Sequence, residues 1–416
     1  MRESKRFCRA AMHRGTTWVA LCVAALVLLG AAAASQAQEA DEPVETLTLG
    51  YLGVERDEDR EPLSVLDPVL DDEGVQGARL GISDNNATGQ FLGQEFVLVE
   101  AIVARDADVR EGLHELLDAG AEWIISGLPR ERLEAVLADE ALGERIVFNA
   151  AAPDNVLRGE ACRPNLYHTT PSRRMLADAL AQFLGYKRWE RWALVYGKTP
   201  EDERLAAAFR EAAERFGHDI VDEAQWPHDP MARRAEGGFH AIQREIPVFV
   251  QELADHDVLV VVDETDYFGE YFPYQTWRPR PVVGTQGLIA TAWHRAHESW
   301  GAVQLQRRFE EHAGRWMTPR DFAAWLAVRS LGEAAVRTES AARDTLLDYL
   351  LGDDFELAGY LGLPVSYRPW NHQLRQPILI TGPRMVASVS PQEAYLHPHS
   401  PLDSLGADEG ESACRF

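Results

Sequence analysis

Aromatic and arginine side chains are concentrated in two segments in the second half of this 416-residue chain. The first segment carries Tyr267, Tyr271, Tyr274, Trp277 and Arg278, and the second carries Trp293, His294, Arg295 and Trp300. Rings stack on flat ligands, and guanidinium groups form paired hydrogen bonds with carboxylates, so this composition favours a planar anionic ligand. The alternative for each of these residues is packing inside the protein, which the sequence leaves open.

The sequence motifs of common catalytic and metal sites are incomplete or missing. Gly197-Lys198-Thr199 ends like a phosphate-binding loop, but that pattern requires a glycine where Trp192 stands. There is no G-x-S-x-G, no H-E-x-x-H, and no G-x-G-x-x-G after a strand. Two segments could offer metal ligands without a recognised spacing, and we expect both to be solvated loops: Asp57, Glu58, Asp59 and Glu61, and then His397, His399 and Asp403. We therefore expect a binding protein rather than an enzyme, with no required metal or cofactor.

Strand-like apolar runs alternate with helical patterns, which predicts α/β lobes built on parallel sheets. The first series has predicted strands at 46–52, 95–103, 122–126 and 145–149, and helical or small-residue segments at 75–86, 108–119 and 131–137. The second series has helices at 172–184, 201–216 and 246–254 and strands at 192–195, 258–262 and 281–284. Helices at 299–313 and 319–338 and a strand at 376–381 follow. Two Rossmann-like lobes would enclose a cleft lined by the loops after their strands.

The N-terminus has the organisation of a cleavable signal peptide over residues 1–37. A basic stretch precedes an apolar run of about 12 residues, which is shorter than the roughly 20 that a membrane-spanning helix needs. Small residues ending at Ala37 follow, and no cysteine stands directly after them. We expect export to the periplasm without a membrane anchor.

The net charge excludes one class of partner, and the cysteine content predicts one covalent bond. The net charge of −25 repels phosphate backbones, so nucleic acid is not an expected partner. Cys8 and Cys22 lie in the predicted signal peptide, which leaves Cys162 and Cys414. In an oxidising compartment these two are predicted to form a disulfide that ties the C-terminal tail to the body, and a pair of free thiols is the alternative.

Two segments resemble the type I periplasmic binding proteins, the leucine/isoleucine/valine-binding group. Residues 77–89, GARLGISDNNATG, are similar to the first helix of those proteins, and residues 163–172, RPNLYHTTPS, are similar to a crossing between their lobes. The resemblance implies two lobes joined by crossing strands that close on a small ligand. We expect the first lobe to hold 45–165 plus 289–350 and the second to hold 166–288 plus 351–395, followed by a tail at 396–416.

A narrower resemblance links the chain to substrate-binding proteins associated with alcohol dehydrogenase systems that depend on pyrroloquinoline quinone (PQQ). It rests on TAWHR (291–295), ESWGA (298–302), QLQRRF (304–309), YRPWNHQLRQP (367–377), LDSLG (402–406) and ESAC (411–414). PQQ is planar and carries three carboxylates. The resemblance implies PQQ or a related anion as ligand, and an ABC permease or a PQQ-dependent dehydrogenase as partner. An amino-acid or organic-acid receptor for uptake or sensing is the alternative, and we expect a monomer.

The candidate ligand-binding residues lie at predicted strand ends and in the aromatic segments. In amino-acid-binding relatives the loop after the third strand offers several small hydroxyl residues, whereas residues 126–130 here offer one serine and one arginine. The loop at 149–154 keeps the small residues that let a ligand approach the backbone. The full set of candidates is Tyr51, Ser126, Arg130, Asn149, Ala151, Tyr196, Lys198, Asp263, Tyr267, Trp293, His294 and Arg295.

Overall fold

A five-stranded parallel sheet forms the centre of the first lobe. The computed structural model describes residues 44–55, 70–228 and 238–416, so the predicted signal peptide and the acidic segment at 57–61 lie outside the described residues. The strands are β1 (Glu45–Val54), β2 (Gln94–Val103), β3 (Trp123–Ser126), β4 (Ile146–Asn149) and β5 (Leu166–His168), in the spatial order β2-β1-β3-β4-β5. The connecting helices are α1 (Val75–Gly89), α2 (Val109–Asp118) and α3 (Arg130–Leu137).

The second lobe is built on a seven-stranded mixed sheet. Its strands are β6 (Arg191–Tyr196), β7 (Asp219–Gln225), β8 (Val258–Val262), β9 (Val282–Gly284), β10 (Leu288–Thr291), β13 (Ile378–Gly382) and β14 (Met385–Ser390), in the order β14-β13-β10-β9-β8-β6-β7. The helices in this part of the chain are α4 (Arg173–Lys187), α5 (Pro200–Phe216), α6 (Gly238–Glu252) and α7 (Phe272–Gln275). Strand β13 runs antiparallel to both β10 and β14, so the hairpin at the edge departs from the expected parallel arrangement.

Between β10 and β13 the chain crosses back and adds three helices to the first lobe. These are α8 (Ala302–Ala313), α9 (Pro319–Thr338) and α10 (Arg343–Leu351), followed by the short strands β11 (Ser366–Tyr367) and β12 (Leu374–Arg375). Helix α9 begins at a capping box, in which the Thr318 hydroxyl accepts from the Asp321 N–H and the Asp321 carboxylate accepts from the Thr318 N–H. It packs along α1 and covers one face of the first sheet.

The central strands β3, β4 and β8 are buried along their whole length, as strands with helices on both faces of the sheet are. In the first lobe, Leu49 and Tyr51 join one apolar cluster with α1 and α9, while Leu52 joins another with α2 and α3. In the second lobe, Val260 packs with α4 and α5, and Val261 packs on the opposite face with α6. The alternation of neighbouring strand residues between two clusters is what a buried strand produces.

The two-lobed α/β fold predicted from the sequence is confirmed, and the lobe boundaries differ from those expected at two places. Strand β10 at 288–291 belongs to the second sheet, although 289 was the expected start of the return to the first lobe. Phe355, Leu361 and Leu374 pack in the first-lobe cluster, although 351–395 was assigned to the second lobe. Both differences arise from tertiary packing of short segments whose apolar residues fit either lobe.

Candidate functional site

A cavity of about 290 Å³ lies where the two lobes meet. The second lobe contributes the loop after β9 (285–287) and the β13–β14 hairpin at Gly382 and Pro383. The crossing residues 293–295 and the segment 316–319 before α9 complete the lining. The cavity is therefore formed by strand-end loops and a lobe crossing, which is where ligands bind in open α/β sheets.

The side of the cavity nearest α9 combines a cation with an aromatic face. The Arg295 guanidinium lies 4.5 Å from the centre of the Trp316 ring, and Trp316 is half-buried. A guanidinium over an indole ring is a cation–π contact, and guanidinium N–H groups are suited to carboxylates. The pair places a cation and an aromatic ring together in the cavity wall.

Polar groups from both lobes line the same cavity. Gln286 donates to Asp266 Oδ1 at 3.1 Å, which orients its side chain, and His294 Nδ1 accepts from the Ala296 N–H at 3.1 Å. The Thr318 hydroxyl is engaged in capping α9. The cavity thus combines apolar surface with a few oriented polar groups, as small-molecule sites do.

Three of the twelve predicted residues line this cavity: Trp293, His294 and Arg295. Trp293 is 1 % exposed, stacks on Phe322 at 4.7 Å, and donates its indole N–H to Gln306 Oε1 at 3.1 Å. Its ring therefore forms part of the first-lobe core as well as part of the cavity wall. The aromatic ring under Arg295 is that of Trp316, which is not among the residues predicted from the sequence.

Asp263 and Tyr267, at the end of β8, organise a loop. The buried Asp263 carboxylate accepts from the N–H groups of Tyr267, Phe268 and Gly269 at 2.6–2.8 Å. Burial raises the pKa of Asp263, and the three N–H donors oppose that rise. Both Asp263 oxygens are used in holding the backbone that follows β8.

The first-lobe candidates at the ends of β3 and β4 form a buried turn. The Asn149 side chain accepts from the N–H groups of Ala151 and Ala152 and donates to the Ala152 carbonyl. The Ser126 hydroxyl is buried and lies 3.4 Å from the Leu128 nitrogen. These residues shape the loops of the first lobe that face the second.

The remaining candidates have partners outside the cavity. Tyr51 is buried and donates to the Glu73 carbonyl at 3.1 Å, and burial raises its pKa. Arg130 Nε donates to Glu134 on its own helix at 2.8 Å. The Arg210 guanidinium lies over the Tyr196 ring at 5.2 Å, and Lys198 donates to the Pro227 carbonyl. The structure does not bring these four residues together.

The predicted disulfide is confirmed, since Cys162 and Cys414 are bonded across 252 residues of sequence. Asp403, which was expected to lie in a solvated loop, is buried and accepts from Arg368 at 2.9 Å and Arg375 at 2.7 Å. Across residues 44–55, 70–228 and 238–416 there is no group of three or more side chains suited to a metal ion. In the same described ranges, no helix is long and apolar enough to span a membrane.

Comparison with known proteins gives the same architecture. Residues 69–233 match the family model described as periplasmic binding protein. A periplasmic ligand-binding protein of a branched-chain amino acid ABC transporter from Burkholderia xenovorans LB400 is 15 % identical, with a TM-score of 0.67, over 88 % of this chain and 99 % of that one. No curated protein matches the chain.

Two further solved structures contain ligands. A solute-binding protein of an ABC transporter from Rhodopseudomonas palustris BisB5, in complex with 3,4-dihydroxybenzoic acid, is 15 % identical with a TM-score of 0.56, over 81 % of this chain and 93 % of that one. A substrate-binding protein from Desulfitobacterium hafniense, in complex with Leu, is 16 % identical with a TM-score of 0.58, over 83 % and 99 %. The chain therefore has the fold of the type I periplasmic binding proteins, and residues 69–233 match the family model of periplasmic binding proteins.

Proposed function

We propose that this protein is the solute-binding component of an ABC transporter-type system and binds a small organic acid, either an amino acid or an aromatic acid, between its lobes. The observation that carries the proposal is the Arg295–Trp316 pair within the inter-lobe cavity. A carboxylate on Arg295 and a flat or apolar group against Trp316 would use both side chains. The solved relatives bound to Leu and to 3,4-dihydroxybenzoic acid carry ligands of these two classes.

The size of the cavity favours the smaller ligands over PQQ. A volume of about 290 Å³ lies just below the roughly 300–1,000 Å³ typical of small-molecule sites. Three carboxylates would also require several cations, whereas Arg130 and Lys198, two of the predicted basic groups, are engaged with Glu134 and Pro227. PQQ remains the larger candidate of the same chemical type, because it too is planar and anionic.

Delivery to an ABC permease, or to a PQQ-dependent dehydrogenase if PQQ is the ligand, follows from this proposal. Export to the periplasm through a cleaved signal peptide and a monomeric state belong to it as well. The match of residues 69–233 to the periplasmic binding protein family supports this role and supports binding rather than catalysis.

A ligand panel tests the proposal. Leucine, 3,4-dihydroxybenzoate and PQQ are titrated against the protein by calorimetry after a thermal-shift screen, in which a ligand at 100 times its Kd adds about 2.7 kcal/mol of stability. At least one should bind, and Arg295→Gln should weaken it about tenfold or more, because a hydrogen bond to a charged group contributes about 1.5–3 kcal/mol.

Trp316→Leu should weaken an aromatic acid more than leucine, since only the aromatic acid stacks on the ring. The exposed residues Arg307 and Trp277 lie outside the cavity, so Arg307→Gln and Trp277→Leu are the matched controls. Equal affinity in the cavity variants and the controls would contradict the assigned site. Failure of every ligand class to bind would contradict the function.

A further inference from the structure

We infer that five charged side chains form an ionic latch that keeps the two lobes in contact when no ligand is bound. The first lobe contributes Glu131 and Asp154, and the second contributes Arg173, Arg204 and Glu264. None of these residues lines the inter-lobe cavity. The inference therefore goes beyond the proposed function and does not depend on which ligand binds.

The inner half of the latch centres on Arg173, the first residue of α4. Its Nε and Nη2 atoms donate to the two carboxylate oxygens of Glu264, each at 2.7 Å. Its Nη1 atom lies 2.8 Å from Asp154 Oδ1, close enough for an ion pair although the N–H direction does not make a hydrogen bond. Arg173 and Asp154 are each 4 % exposed, so water screens this contact little.

The outer half of the latch centres on Arg204, on α5. Its Nη1 atom lies 3.7 Å from Asp154 Oδ1 and 3.7 Å from Glu131 Oε1, on α3 of the first lobe. Its Nη2 atom is held by Glu201 of the same helix at 2.5 Å. The Arg204 side chain is 30 % exposed, so this half is accessible to salt and can open first.

Removing a cation from this arrangement leaves like charges facing each other. Glu131 and Asp154 on one lobe then oppose Glu201 and Glu264 on the other, and like charges across an interface repel. Arg130 also faces Asp154, and its Nε atom donates to Glu134. Arg204 thus connects the lobes by attraction, and a carboxylate in its place would separate them.

Hydrogen bonds beside Arg173 attach the start of α4 to the first lobe. The Arg173 N–H donates to the Pro153 carbonyl at 2.8 Å, and the next N–H, of Arg174, donates to the Asn155 side chain at 3.0 Å. The start of α4 is therefore fixed against the loop after β4. Separation of the lobes with this attachment kept would have to break the contacts of Arg204 with Glu131 and Asp154, so Arg204 is the position to test.

Distance measurements between spin labels test the latch without any ligand. Labels at Glu115→Cys on α2 and Glu211→Cys on α5, both exposed, report the separation of the lobes. In low salt the parent protein should give one short distance, and Arg204→Glu should shift it to a longer one. About 1 M salt, where the Debye length is about 3 Å, should shift the parent protein in the same direction.

A matched control and a charge swap complete the test. Arg210 lies on the same helix with a similar exposure of 31 %, and it pairs with Glu203 and Glu223 within its own lobe, so Arg210→Glu should leave the distance unchanged. Adding Glu131→Arg to Arg204→Glu should return the distance toward the parent value. Both variants are first verified as folded by circular dichroism. The latch is refuted if Arg204→Glu gives the parent distance, if Arg210→Glu lengthens the distance as much as Arg204→Glu does, or if the swap restores nothing.

Discussion

His372 is a residue whose position links the tail to the crossing between lobes. Its ring stacks on Tyr167 and on Phe416, each at 4.3 Å between centres, and its backbone has the positive φ of 53° that histidine and asparagine tolerate. Burial lowers the pKa of His372 from 6.5 to about 4, because the charged imidazolium loses its hydration. The folded protein therefore holds this residue neutral at pH values where the unfolded chain protonates it.

The pH dependence of unfolding should record this shift. The pKa of His372 is lower in the folded state than in the unfolded chain. Its contribution to the free energy of unfolding is therefore fully present above pH 6.5. It is lost as the pH falls from 6.5 through 4, by about 3 kcal/mol in total. His372→Asn should reduce the slope of unfolding free energy between pH 6.5 and 4, measured by urea titration. The exposed position His312 gives the control, His312→Asn. An unchanged slope in His372→Asn would contradict the assignment.

At the residue scale, residue composition indicated a segment that lines the cavity, but it did not indicate which partner each side chain contacts. Trp293, His294 and Arg295 were found because aromatic and basic residues cluster there, and all three line the cavity. Asp263 occupies a strand end as a ligand-binding residue would, yet its oxygens bind backbone N–H groups. Trp316 was not predicted because its neighbours in sequence indicate only the start of a helix. Its role depends on contact with Arg295, which belongs to a separate segment of the chain.

At the scale of elements, the packing of α1 against α9 depends on a glycine that permits close approach. A Cβ atom at Gly77 would lie 1.9 Å from the Asp321 carbonyl oxygen, a distance that forces the helices apart. Asp321 also accepts from the Gly74 N–H at 2.7 Å and from Arg315, so the same contact fixes the segment that lines the cavity. Helix packing and cavity shape are thus coupled here.

Gly77→Ala should therefore lower the free energy of unfolding by about 1–3 kcal/mol or more, the range for inserting a methyl group into a filled contact. Chemical denaturation measures this loss. Gly410→Ala is the control, since a Cβ at Gly410 meets no atom within 4 Å and should change stability little. Equal stabilities of the two variants would show that α1 and α9 adjust without cost.

Elements with a single unambiguous pattern were predicted with their observed bounds. Val258–Val262 is wholly apolar between charged residues. Pro319–Thr338 is preceded by the N-cap Thr318, begins with proline and has the acidic Asp321 as its third residue. Strand β7, Asp219–Gln225, was missed because an edge strand with acidic residues resembles a loop. Strand β10 was missed because four residues are too few to establish a period.

At the scale of the whole molecule, the C-terminal tail ties the lobes together. Cys414 is bonded to Cys162 after β4, Glu411 pairs with Arg174 of α4 at 2.6 Å, and Gly406 donates to Asp178 of the same helix at 2.7 Å. The sequence predicted the bond from the oxidising compartment and the two remaining cysteines. It could not predict that the tail would contact both lobes, because that depends on where the chain ends in space.

Replacing both cysteines, Cys162→Ser with Cys414→Ser, should lower stability by about 2–5 kcal/mol, since the bond restricts a long loop in the unfolded chain. Thermal denaturation with and without reductant measures the effect. Reductant should lower the Tm of the parent protein toward that of the double variant and leave the variant unchanged. A parent protein with the same Tm in both conditions, after the thiols are shown to be reduced, would contradict this role.

The central claim is that an organic acid binds between the lobes, against Arg295 and Trp316. A crystal structure with the ligand that gives the largest thermal shift tests it most directly. The predicted result is ligand density in the cavity lined by residues 285–287, 293–295 and 316–319, with a carboxylate on Arg295. A second cavity, of about 340 Å³, lies between the end of α10, the β11–β12 hairpin and the tail, and ligand found there with the first cavity empty would contradict the account.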